Sequence, residues 1–375
     1  MHRQRKRITT AALLSACLLL TGCFRSDPVG EAIEQLGGND AERRKAAMAL
    51  RLTSRDPVPQ LIETVNNNKL QRRIRLAALE VLGQIARRQD DERVYAFLLT
   101  QLSAPEPRIR ESAVEGFVGA VYADAVPALL ELKRTADGEL RRRIEEALAA
   151  TAEKMARDAE KLWNSPEAAM REYQRLEELG LNRGPVGYSK ARFLDMRGRY
   201  REAKAKYDEL GVIRRYWLIG PFPNRQGMGF RQAYPPEKEI NLDAAYEHGT
   251  SEIKWYKMDR DLQAGHLDFE RFFVETDNVL AYTLVYLVSQ RRQTVEVRAG
   301  SDDTLTLFLN GEPAWYHEQY RAVRFDDDVV DVQLEEGTNT LLFKVCEDWG
   351  AWHLIARITG PGDTALDGVT LTLEP

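Results

Sequence analysis

A helical pattern that recurs in phase is the strongest constraint on what this chain can fold into. DPVPQLIETV (56–65), DERVYAFLLTQL (91–102) and DAVPALLELK (124–133) each open on an Asp, place a Val soon after and continue with apolar residues at helical spacing. The aligned valines are Val58, Val94 and Val126. Each segment is followed by an Arg-rich helix with small residues inside: RRIRLAALEVLG (72–83), PRIRESAVEGF (107–117) and LRRRIEEALAA (140–150), which align Ala78, Ala113 and Ala147. RRKAAMALRL (43–52) is a less complete copy with Ala47 in that place. A period in the low-to-mid thirties built from helix–turn–helix units predicts a solenoid, in which stacked units share one continuous core.

This run, residues 28–156, resembles short HEAT repeats, because both helices recur in register. The pattern then changes near Trp163. SPEAAMREYQRLEELG (165–180) and GRYREAKAKYDELG (198–211) align Ala169 with Ala203, Tyr173 with Tyr207 and Leu176 with Leu210, thirty-four residues apart. With Ala191, Leu194 and Gly198 ahead of the second copy, residues 157–211 resemble tetratricopeptide hairpins. So few units cannot bury their own face; they are expected to cap the solenoid and lead into the next domain. Arg43, Arg44, Arg72, Arg73, Arg75, Arg108, Arg110 and Arg141 to Arg143 open the second helices. They would form a cationic groove for an acidic partner, or pair with the turn acids Asp56, Asp90, Asp91 and Asp124 of neighbouring units. Acids and bases recur in one register, which favours pairing.

After Gly211 the helical period stops. RYWLIGPFPN (215–224) opens a series of short alternating runs, among them VLAYTLVYLV, TVEVRAG, TLTLFLNG, TNTLLFKVCE and WHLIARIT. Strands at regular spacing with Gly, Asp and Asn turns predict a β-sandwich or jelly roll over residues 212–375. Within it, residues 224–270 read as long loops over the sheets, with one strand at IKWYKM. The fold class is therefore an α-solenoid followed by a β-sandwich.

The N-terminus bears on location. MHRQRKR is cationic, ITTAALLSACLLL is apolar but too short to span a bilayer, and Leu20-Thr21-Gly22-Cys23 follows. This resembles the lipobox of bacterial lipoproteins, which implies cleavage of residues 1–22 and a lipid-modified Cys23 heading a short linker, 23–27. Phe24 rather than Asp after the Cys implies an outer-membrane address by the same resemblance. Removing Arg3, Arg5, Lys6 and Arg7 takes the formal charge from −5 to −9, which argues against general nucleic-acid binding. Cys346, in LLFKVCE, is left without a disulfide partner and reads as a buried strand thiol.

GSDDTLTLFLNG (300–311) carries the sharpest site signal. Leu305, Leu307 and Leu309 face one way, Thr304, Thr306 and Phe308 the other, and Asn310-Gly311 reads as a hairpin turn. Asp302 and Asp303 thus sit at a strand entry, where one Asp can cap the turn through backbone amides. Adjacent strand residues face opposite ways, which argues against a shared-proton dyad or a glycosidase pair. GSDD, an apolar strand, NGE, LEEGTNTLLFKV and a final aromatic-bearing strand resemble the protective-antigen-type lectin sandwich and its relative, the sugar-binding jelly roll of glycoside hydrolases. Glycan-binding members of the first family hold calcium with an Asp-Asp pair joined by a cis peptide. The resemblance therefore implies Asp302 and Asp303 as calcium ligands, with Asn310, Glu347 and Asp348 as further candidates.

Trp315, Tyr316, Tyr320, Trp349 and Trp352 surround these segments and either stack on a sugar or pack the core. No metalloprotease, nucleophile-elbow, phosphate-loop or paired-Cys motif occurs, and His248, His266, His317 and His353 lack ligand spacing. The sequence therefore points to a non-enzymatic, lipid-anchored envelope protein of the outer membrane, its sandwich binding a glycan and its solenoid binding envelope proteins. A pure protein scaffold, or an accessory of a polysaccharide hydrolase, is the alternative.

Overall fold

The computed structural model describes residues 27–181, 183–248 and 251–375. The signal segment and Cys23 lie outside them. The chain divides into two compact units, one ending at Gly116 and the other beginning at Phe117.

The first unit is a run of helix pairs: Pro28–Gln35 with Asp40–Leu52, Val58–Asn66 with Arg72–Gln89, and Glu92–Gln101 with Pro107–Phe117, the last ending at the unit boundary. Val58, Val94, Ala78 and Ala113 are buried as the repeat predicts. In the first pair, however, the fully buried residue is Ala46 and not Ala47, because the incomplete copy is shifted by one position. Gly83 and Gly116 let the second helices of adjacent pairs nearly touch: a Cβ on Gly83 would stand 2.9 Å from the Gly116 Cα. The arginines are engaged differently from the expected register. Arg75 bonds Glu106 at 2.7 Å and the Val65 carbonyl, and Arg110 holds the Ala104 carbonyl. Asp56 and Asp91 are both taken by Arg93, which comes from a first helix. Pairing within one turn of the same helix, as in Arg43–Asp40 and Arg108–Glu111, accounts for others.

The second unit begins with Val126–Lys133 and the long helix Gly138–Lys161, which runs unbroken through residue 156. Pro166–Glu178, Gly184–Met196 and Tyr200–Leu210 follow. The in-phase residues Ala169, Tyr173, Leu176, Ala203, Tyr207 and Leu210 are all buried. The Tyr173 and Ser189 hydroxyls share a hydrogen bond of 2.7 Å.

The remaining strands are β1 (Trp217–Pro223), β2 (Ala245–His248), β3 (Ser251–Lys254), β4 (Tyr256–Lys257), β5 (His266–Asp268), β6 (Val279–Ser289), β7 (Gln293–Asp302), β8 (Thr304–Leu309), β9 (Glu312–His317), β10 (Asp328–Leu334), β11 (Gly337–Glu347), β12 (His353–Thr359) and β13 (Val369–Thr372). They form a seven-stranded sheet, six strands in the order β4-β1-β6-β11-β8-β9 with β13 beside β6, and a four-stranded sheet in the order β10-β7-β12-β5, with β2–β3 a separate hairpin. One half of β6 pairs with β1 and the other with β13, and every pairing is antiparallel. Leu305, Leu307, Phe343 and Val345 meet Val295, Val297, Leu354 and Ile358 in one core, which makes the two sheets a β-sandwich.

The large sheet is buried on its outer face too. Phe222, Tyr282, Phe308, Leu342 and Cys346 pack there under Trp255, Phe230, Tyr234 and Tyr246. The stretch 224–270 is thus a cover with its own elements, and it contains β5, a strand of the small sheet that alternation over so few residues does not announce. A buried Lys344 fastens this cover: its Nζ donates to the Phe230 and Gln232 carbonyls at 3.1 and 2.8 Å and to Glu237 Oε1 at 2.8 Å. Glu237 also accepts the Tyr282 hydroxyl.

On the outer face of the small sheet, Arg357 is fully buried. It bonds Asp326 Oδ1 at 2.7 Å, Asp363 Oδ1 at 2.6 Å and the Leu210 carbonyl at 3.3 Å, so one side chain joins a helix end, a loop and the last turn. Removing one partner of a buried ion pair leaves uncompensated charge. Arg357→Ala is expected to cost about 3–5 kcal/mol, read as a lowered urea midpoint by circular dichroism; an unchanged midpoint would contradict this role.

Candidate functional site

Each residue of GSDD has a separate reason to be what it is. Gly300 has no side chain because the Arg324 carbonyl occupies the space a Cβ would need. Ser301 is buried; its hydroxyl donates to the Asp303 carbonyl at 2.9 Å and accepts from Arg321 Nη2 at 2.9 Å. Asp302 ends β7, opposite His353 of β12, and its carboxylate accepts the Val323 amide. Asp303 stands between β7 and β8; its amide donates to the Cys346 carbonyl at 3.3 Å and its Oδ1 accepts the Arg321 amide at 3.3 Å. The loop that crosses Gly300 therefore supplies amides to both acids, and Arg321 anchors that loop on Asp327 and Asp328.

The Asp302–Asp303 peptide is cis. The expectation that the two side chains face opposite ways does not hold, because Asp303 is the break between two strands rather than a member of either. Instead Asp302, Asp303 and Glu347 each present a carboxylate oxygen within 4.8 Å of the others. Glu347 ends β11 and is 0 % exposed, yet neither of its carboxylate oxygens has a hydrogen-bond partner among the described residues. Burial, then the charges of Asp303 and Asp302, push Glu347 up to about 8, with Asp277 and Asp348 adding to the effect. Burial likewise raises Asp303 to about 6 and raises Asp302. Such a cluster suits a hard cation, since all three groups offer oxygen.

Beside it opens a cleft of about 440 Å³ whose lining includes Asn224, Gln226, Phe230, Asp303, Tyr320 and Asp348. Tyr320 donates to Asp348 Oδ2 at 3.2 Å. Asn224 is buried, donates to the Glu347 carbonyl at 3.1 Å and leaves its Oδ1 unpaired. Tyr316 lies against Phe230, and Trp349, which follows Asp348, is 77 % exposed. Other sequence candidates lie elsewhere. Asn310 closes the far end of β8, where its amide holds Asn339 and Thr340, so it is a hairpin residue and not a cation ligand. Trp352 is 0 % exposed and stacks on Phe269 at 4.6 Å, so it belongs to the core. Trp315, partly exposed on the edge strand β9, is paired with Leu307 and faces away from Tyr316. Glu347, a further candidate of the sequence that nothing there could place, ends β11 beside the Asp pair, and its burial singles it out.

Two histidines come together although their spacing gives no sign of it: the His266 and His353 rings are 4.6 Å apart on neighbouring strands. His266 lines a larger cleft of about 760 Å³ bounded by Gly138–Lys161 and Gly184–Met196. The charges there pair with one another, Arg192 with Glu160, Arg271 with Asp268, Arg157 with Glu153 and Asp261 with Arg214.

The three carboxylates set a pH dependence. A carboxyl with a folded pKa above its unfolded value binds its proton more tightly when folded. The stability it contributes is complete below the ordinary value of 4.5 and is lost as pH rises toward about 8. In the presence of a chelator, the urea midpoint is expected to fall across that window, and Glu347→Gln to flatten the slope. A midpoint that rises through the window would refute the assignment.

No family model matches this chain, and no curated protein matches it. Among solved structures it is similar to the crystal structure of the PA14 domain of the antifreeze protein MpAFP, at 16 % sequence identity and a TM-score of 0.21. The similarity covers 25 % of this chain and 52 % of that one, so the chain spans about half of the structure it matches. The likeness is distant; along the chain a helical N-terminal region precedes the β-region.

Proposed function

We propose that this protein is a non-enzymatic envelope lipoprotein whose β-sandwich binds a glycan with the help of a calcium ion held by Asp302, Asp303 and Glu347. The observation that carries the reading is Glu347: a fully buried carboxylate with no hydrogen-bond partner among the described residues, converging on two further carboxylates. Burying an ionised carboxylate without a partner is costly, and a hard divalent cation offsets that cost directly. Calcium, when bound, supplies open coordination positions to hydroxyl oxygens. Asp302 and Asp303 are held for this by the amides of Val323 and Arg321. Tyr320 and Phe230 offer ring faces beside the cluster.

Binding without bond cleavage is the better reading of these acids. A glycosidase needs two carboxyls that flank the sugar, whereas here three converge on one point and one of them is sealed from solvent. Lipidation at Cys23, outer-membrane residence and protein partners on the helical repeats complete the proposal; they rest on the N-terminal sequence and on the repeat pattern.

Calorimetry on the mature chain is expected to show calcium uptake that a chelator reverses and that Glu347→Gln weakens about 100-fold, with glycan-array retention that depends on calcium. Neither calcium uptake nor retention on folded protein would discard the proposal. Separately, metabolic labelling with a radiolabelled fatty acid is expected to mark the chain and to be lost in Cys23→Ala; unlabelled wild-type protein would remove the anchor.

A further inference from the structure

The charges around the cluster narrow the kind of sugar it takes. We propose that the cleft beside the three carboxylates binds a glycan bearing a free amine, with the ammonium seated against Asp348 and Asp303. This inference rests on the preceding reading, that the sandwich binds a glycan beside a bound cation.

Negative charge is in excess. Asp302, Asp303 and Glu347 meet at one point, and Asp277 and Asp348 lie close enough to act on Glu347. A divalent ion compensates two of these charges and leaves the surroundings negative. The nearby cations are engaged. Arg231, which lines the cleft, is bound to both oxygens of Glu318 at 3.1 and 3.0 Å. Arg321 is bound to Asp327 and Asp328, and Lys344 to Glu237. The described lining offers a uronate or phosphate group no uncommitted cationic side chain, so such a group could reach only the bound ion and would meet the carboxylates of Asp303 and Asp348 beside it.

The lining favours a donor-rich cation for two further reasons. An ammonium has three donors and no acceptor, so it can use Asp303 and Asp348 together. Tyr320 and Phe230 add aromatic rings to the lining, and a cation is attracted to the face of such a ring. An N-acetylated sugar keeps the ring contact but brings neither the charge nor the three donors.

The test is calorimetry on the full mature chain in calcium at mildly acidic pH. It compares glucosamine oligomers, their N-acetylated counterparts and galacturonate oligomers. The glucosamine oligomer is expected to bind about tenfold or more tightly than the acetylated one, a difference of about 1.4 kcal/mol, and more tightly than the galacturonate. Raising the salt concentration is expected to shrink the ratio. Asp348→Asn and, independently, Tyr320→Ala are expected to lower that same ratio, which general loss of fold does not change selectively. Equal affinity for the amine and acetyl forms, tighter binding of galacturonate than of the glucosamine oligomer, or calcium uptake without binding of any of the three overturns this inference. A calcium titration without sugar separates the two readings: no calcium uptake overturns the cation, whereas uptake with no amine preference overturns the amine alone.

Discussion

Arg357 is the interaction on which the second unit depends. It sits on β12, buried on the outer face of the small sheet, and draws three segments to one point: Asp326 before β10, Asp363 after β12, and the carbonyl of Leu210 at a helix end. Asp363 in turn accepts from Arg183, so the second helical hairpin is tied to the same point. A guanidinium suits this place because its fork reaches several acceptors in one plane. Phe325, next to Asp326, stacks on Tyr188 at 4.1 Å and lies under the Arg357 head. The loop after β9 is therefore clamped at its C-terminal end by one buried charge and at its middle by Arg321.

That clamped loop explains how a strand end becomes a site. The amides of Arg321 and Val323 go to Asp303 and Asp302, and the Arg324 carbonyl fills the place beside Gly300. A second clamp, Lys344 on Glu237, holds the cover that contributes Asn224, Phe230 and Arg231 to the cleft. Both walls are thus fixed by charges paired within the fold, Arg321 with Asp327 and Asp328 and Lys344 with Glu237, which gives the site rigidity.

How much of this the sequence discloses depends on how local each signal is. The helical phase is local, and Val58, Val94, Tyr173 and Tyr207 are buried where the repeat puts them. The alternation of Leu305, Leu307 and Phe308 is local as well, and it assigns their faces correctly. The pairing of Arg93 with Asp56 is not local, because it depends on how one helix pair meets the next. The same holds for β5, a three-residue strand defined by its neighbour rather than by its own pattern. Trp352 and Asn310 show the limit most plainly. Both residue types suit a sugar site, and only packing reveals that one fills the core and the other closes a hairpin. Glu347 shows the converse, since nothing in VCED distinguishes it from a surface acid.

The unpaired state of Glu347 is the final step in the physical argument. Elsewhere in the sandwich, buried charge is matched: Arg357 by two aspartates, Lys344 by Glu237, Glu296 by Arg298 and by the amides of Gly362 and Asp363. A chain that pairs its buried ions this consistently leaves one carboxylate open at the point where two others converge. Its fold alone gains nothing from that arrangement, because mutual repulsion and desolvation both oppose ionisation there. The cluster is relieved only by protons or by a cation from outside, and protons relieve it without using its geometry. The orientation of three carboxylates toward one point, beside an open cleft, is the feature on which the proposed cation binding rests.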